Sequence, residues 1–222
     1  MRARAIPRTA RRVVIAAATA AAVLCPATAA RAHGVDATGQ ESLPGFVELG
    51  LTHMLTGWDH LLFIAGVVIL AWRPRRAASL LSLFAVGHST TLITATLAGW
   101  RLDPTMVDIV IADSVAFVGV VGLFGRPTRY RWFGAAVLIL GLVHGLGLAT
   151  RFQALTIPPG GTLIRLLAFN LGVELGQLVS LYLLYLVGEV VVKVAAWPRI
   201  ERILFGGLTV VGLVAGTTMI LI

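Results

Sequence analysis

Six apolar stretches of roughly twenty residues leave this chain few folds to choose from. They cover residues 46–72, 78–99, 105–125, 132–150, 163–187 and 203–222. A helix needs about 20 apolar residues to cross the hydrocarbon core of a bilayer. Inside that core every backbone N–H and C=O must pair within its own helix or within a closed barrel. No barrel-type alternation appears, so the expectation is an all-α, polytopic membrane bundle of six transmembrane helices. Composition agrees: the chain is 58% hydrophobic and only 13% charged, whereas soluble domains carry about a quarter charged residues.

The net charge of +8 resembles a nucleic-acid signal but has another origin. Six of the 18 basic residues are arginines in the first 32 positions, which leaves 12 basic against 10 acidic residues beyond them. An arginine-rich start, an apolar run from Val13 to Leu24 and a small-x-small ending at Ala30-Arg31-Ala32 read as a cleavable signal peptide over 1–32. Cleavage there makes His33 the new N-terminus, where a free α-amine beside an imidazole can chelate a divalent ion. A short extracytoplasmic lead-in over 33–45 follows, then the six-span domain over 46–222. The single cysteine, Cys25, lies in the leader. A mature chain without thiols holds any metal by nitrogen and oxygen.

The loops set an orientation. Arg73, Arg75, Arg76, Arg126, Arg129, Arg131, Lys193, Arg199 and Arg202 fall on one side, and Arg101, Arg151 and Arg165 on the other. By the positive-inside rule both mature termini are extracytoplasmic, in a multi-pass protein of the cytoplasmic membrane. Trp72, Trp100, Trp132 and Trp197 stand at span ends, as interfacial anchors do.

Against this apolar background the polar residues inside the spans are costly. The first span holds His53, Gly57, Asp59 and His60, with the outer pair at i and i+7, hence on one face of a continuous helix. The second holds His88 followed by Ser89, the third Asp108 and Asp113, and the fourth His144. The fifth holds Asn170, Glu174 and Gln177, again on one face. His60, His88, Asp113 and Glu174 come out near the midplane, with His144, Asn170 and then His53 further outward. Unpaired, Asp59, Asp113 and Glu174 together would cost on the order of 7–10 kcal/mol, as much as a whole domain's net stability. They must meet the histidines, one another, water or a cation. Asp59 lies about 100° round the helix from His60, so it is expected to serve His88 or an ion rather than its neighbour. Asp108 is near enough to the interface to be simply solvated.

Imidazole and carboxylate without sulfur suit nickel, cobalt, zinc, iron or manganese, and His also suits a proton relay. Ion transport uses both. Two other classes fit the same residue types: a membrane-embedded zinc hydrolase using the His/Asp cluster, and haem held by histidines paired across helices.

The pattern His53-x3-Gly57-x-Asp59-His60-x2-Phe63, with His88-Ser89-Thr90-Thr91-Leu92, His144-Gly145 and Phe169-Asn170-x-Gly172-Val173-Glu174-x-Gly176-Gln177, resembles the HupE/UreJ family. A cleaved leader followed at once by His33 and six spans is similar to that family too. The resemblance implies a nickel, sometimes cobalt, permease associated with hydrogenase and urease systems and working without ATP hydrolysis. It implies a metal path through His53, Asp59, His60, His88, His144 and Glu174, with Asp113, Asn170, Gln177 and His33 as second-tier candidates. No tightly bound cofactor is expected; the metal ion is substrate. The expected partners are the bilayer, the divalent ion, and a second copy or metallocentre-assembly proteins; nucleic acid is not among them.

Overall fold

A computed structural model describes residues 38–127, 129–155, 157, 160–194 and 197–221, and only the backbone of 189–194. The expected leader, its cleavage point and His33 lie outside the described residues. Among the described residues there are seven helices and no strand: α1 (Leu43–Thr56), α2 (Trp58–Ala71), α3 (Pro74–Ala98), α4 (Pro104–Leu123), α5 (Tyr130–Phe152), α6 (Thr162–Val194) and α7 (Trp197–Leu221). The last five are each long and apolar enough to cross a membrane.

The first expected span is not one straight helix. It divides at Gly57 into α1 and α2, which meet at 65° and satisfy the length and hydropathy requirement only together. The chain is therefore a bundle of five to six membrane-crossing segments, the sixth being this bent pair. The outside is as apolar as the inside: Leu171, Leu175, Leu178, Leu183, Val210 and Leu213 are all exposed. In water such a surface would be a liability; in lipid it is the solvated face.

Local signals explain the helix ends. Ser42 caps α1, its Oγ accepting from Gly45 N at 3.3 Å. Asp103 caps α4, its Oδ1 accepting from Met106 N at 3.1 Å, with Pro104 leading the helix. Just before α1, Glu41 accepts from the backbone N–H of Thr38 and Gly39. These bonds, Thr38's foremost, hold its carboxyl below the usual carboxylate range. At the other end of α2, Trp72 takes a left-handed φ of 57°. Its ring packs on Trp197 (5.2 Å) and under the Arg126 guanidinium (5.0 Å), contacts that offset the cost of that conformation. Trp72, Trp100, Trp132 and Trp197 all sit at helix termini, as the anchor reading expected.

Three close helix pairs surround α2. They are α3 with α5, α4 with α7, and α1 with α6, and α2 touches α3, α4, α6 and α7. Small residues permit the approach. A Cβ on Gly172 would strike the α1 backbone at Val47 O, and one on Gly50 would strike Phe169 O. Along α3 and α5 the same holds of Gly87 against Leu138 O and Gly141 against Phe84 O. Thr91 Oγ1 also donates to Leu142 O at 2.6 Å, tying α3 to α5.

Candidate metal centre

The break at Gly57 builds the site. Its φ of −68° suits any residue, so the need for glycine is one of space. A Cβ there would collide with His60 Nδ1 and lie 3.1 Å from His53 O and 3.3 Å from Asp59 Oδ1. The His60 ring folds back over the gap, and its centroid reaches 5.1 Å from that of His53. The two imidazoles expected on one face of a continuous helix thus meet across a bend instead.

Asp59 falls in the first turn of α2 and is fully buried. The positive end of the α2 dipole favours a carboxylate there. Contrary to expectation Asp59 does face its neighbour: Asp59 Oδ2 lies 3.4 Å from His60 Nδ1. Both residues follow the break and keep the 100° step of α2, so their side-chain rotamers bring the two groups together. At 3.4 Å the contact is electrostatic rather than a formed hydrogen bond.

His144 enters from α5. Its ring centroid is 5.5 Å from that of His60 and edge-on to Phe84 at 4.9 Å. Nδ1 lies 2.8 Å from Leu140 O. A carbonyl only accepts, so Nδ1 carries the proton and Nε2 is the lone-pair nitrogen, the usual arrangement for a ligating histidine. His88 on α3 is buried and stacks on Phe84 at 6.1 Å. Phe84, one turn before His88, carries two of the imidazoles, a role the sequence reading missed.

His53, His60, His88 and His144 line one cavity of about 10 Å³ together with Ile111, Leu148 and Arg151. That is room for about one water-sized sphere. One donor atom each from Asp59, His60 and His144 lies within 4.8 Å of the others. An ion bonded at about 2.1 Å holds its donors roughly 3.4–4.2 Å apart, so small rotamer changes close the set around it.

The remaining candidates stand elsewhere. Glu174 is exposed on α6 and does not line the cavity. Buried Asn170 donates to Glu174 Oε1 at 3.4 Å and accepts from Ser89 Oγ at 2.9 Å, while Gln177 is buried on the same helix. Asp113 is exposed on α4 beside Gly216 of α7. Asp108, expected to be merely solvated, is half-buried, with both oxygens on Arg151 Nη2 at 2.7 and 2.6 Å. Arg151 was not among the sequence candidates, although it follows His144 by seven residues on one helical face.

A family model described as HupE / UreJ protein matches residues 29–220, nearly the whole chain. The chain belongs to the HupE/UreJ family. No curated protein and no solved structure matches it. Membership in HupE/UreJ, a family related to membrane metal transport, fits the apolar helices. It lends no support to a zinc hydrolase.

Space at Gly57 makes a prediction within the HupE/UreJ chain. Gly57→Ala should push the His60 ring off its seat and lower divalent-metal affinity about tenfold. Helical content by circular dichroism should not change. Unaltered affinity would show that the gap is not required.

Proposed function

We propose that this HupE/UreJ protein is a permease for a divalent first-row metal ion of the nickel and cobalt class. It takes the ion from the extracytoplasmic side into the cytoplasm without nucleotide hydrolysis. The observation that carries the reading is the meeting of four imidazoles, from α1, α2, α3 and α5, around one buried cavity beside Asp59. Neutral nitrogen donors replace part of the ion's hydration shell. The Asp59 carboxylate offsets its charge where the surroundings are of low dielectric.

The broken α1–α2 pair supports the same reading. Discontinuous helices at membrane depth recur where transporters bind ions, because irregular backbone is tolerated only around a protein-lined cavity. The loop charges orient the bundle in the cytoplasmic membrane, with the Arg151 end outside and the Arg73 end inside. Ions released at the Arg73 end would then be available to metallocentre-assembly proteins. Nickel or cobalt accumulation by cells expressing the chain tests this. His60→Ala should abolish the accumulation above background at equal membrane expression, and uptake equal to wild type would sink the permease reading.

A further inference from the structure

The boundary of the imidazole cavity differs at its two ends. Towards the Arg73 end it meets packed core: Phe63, Phe84, Val67 and Leu70 are all buried. Towards the other end, His144, Leu148 and Arg151 succeed one another on one face of α5, and all three line the cavity. Across from them Ile111 also lines it, with Asp108 one turn further along α4. Here an ion pair stands in the boundary beside the packed Phe46, Phe152 and Phe169. Arg151 Nη2 takes both oxygens of Asp108, and each side chain is 18% exposed.

A guanidinium is an odd neighbour for a cation site. It repels an approaching metal ion, and among the described residues Asp108 is the acid paired with it. Both carboxylate oxygens sit on one nitrogen, so an incoming divalent ion competes for the same two atoms. Its double charge and smaller radius favour it over the guanidinium, whereas a monovalent ion has no such advantage. Arginine's long stem lets a displaced head reach water at the bundle end.

We propose that the Arg151–Asp108 pair is the exchangeable closure of the cavity: a divalent cation enters by taking Asp108 from Arg151, whose guanidinium turns out to water. This rests on the permease reading and adds the entry route and its preference for divalent charge.

The test places Leu148→Cys in the full-length chain with Cys25→Ser, reconstituted in lipid nanodiscs. The readout is the rate of thiol modification by a small methanethiosulfonate reagent. Modification should be slow with the pair intact. It should rise about tenfold or more in Arg151→Gln and Asp108→Asn, because the rate follows the open fraction. The charge swap Asp108→Arg with Arg151→Asp should slow it again, which separates lost closure from lost folding. Equal rates in all four backgrounds would overturn the proposal, as would a swap as fast as the single variants. Cobalt(II) absorption of the same samples judges the imidazole cavity separately. Faster thiol reaction without a cobalt band would leave the closure standing and remove the permease reading. A cobalt band with unchanged thiol rates would do the reverse.

Discussion

Replacing His144 by alanine is expected to weaken divalent-metal binding to the purified protein by more than about 100-fold. Losing a partner outside the ligand set typically costs 10–100-fold, and losing a ligand should exceed that. His144 is fixed twice over, by Nδ1 on Leu140 O and by the edge of Phe84, so its ring is held in one orientation before an ion arrives. Thermal unfolding provides the readout. At nickel concentrations 100 times the wild-type Kd, binding adds about 2.7 kcal/mol to stability. With affinity reduced 100-fold, the same nickel adds only about 0.4 kcal/mol. An unchanged nickel-dependent shift would exclude His144 from the binding set.

Asp59→Asn is predicted to act differently. Asparagine keeps the volume and an acceptor oxygen beside His60 Nδ1 but removes the formal charge of a fully buried group. Metal-free stability should stay within about 1 kcal/mol of wild type, because asparagine removes the desolvation cost of a buried charge along with its attraction to His60. Metal affinity should still fall about 10–100-fold, since the charge that offsets the ion is gone. A large loss of metal-free stability would mean that Asp59 is a structural ion-pair residue first.

Much of this arrangement is legible in the sequence alone. Runs of apolar residues locate membrane crossings well, because backbone pairing leaves lipid-exposed segments no alternative to helix. Three histidine-bearing spans were identified, and their histidines do converge. The bend at Gly57 was not legible. Glycine is common in membrane helices, and the His53–His60 spacing suits an unbroken helix as well as a broken one. The Asp59–His60 contact is set by side-chain rotamers, which a step of about 100° along the helix does not fix.

Helix rotation was the second gap. Asn170, Glu174 and Gln177 share a face by spacing, but apolar residues are spread around all of α6. Nothing local says how far that face turns inward, and the structure buries Asn170 and Gln177 but leaves Glu174 exposed. Asp113 is a parallel case on α4, where depth gave no hint of its place beside Gly216. The Arg151–Asp108 pair spans 43 residues, and such pairing becomes visible only once α4 and α5 lie side by side.

The seam between α3 and α5 should be one of the least forgiving parts of the bundle. Gly145→Leu is expected to destabilise the protein by more than about 3 kcal/mol, beyond the usual range for overpacking. A Cβ at Gly145 would already collide with His88 O and Thr91 Oγ1 and lie 3.0 Å from His88 C. Two of those three atoms are backbone and cannot rotate away, so the helices must part. Parting them strains the Thr91–Leu142 bond and draws His88 away from His144, so metal binding should fall along with stability. Gly206→Ala on α7 is the matched control, because nothing lies within 4 Å of its added Cβ. There the helix gains backbone order without a clash, worth about 0.5–1 kcal/mol. Denaturation in detergent or nanodiscs should therefore move in opposite directions for the two variants. If Gly145→Leu unfolds like wild type, the close α3–α5 approach that brings His88 to His144 is not how the chain packs.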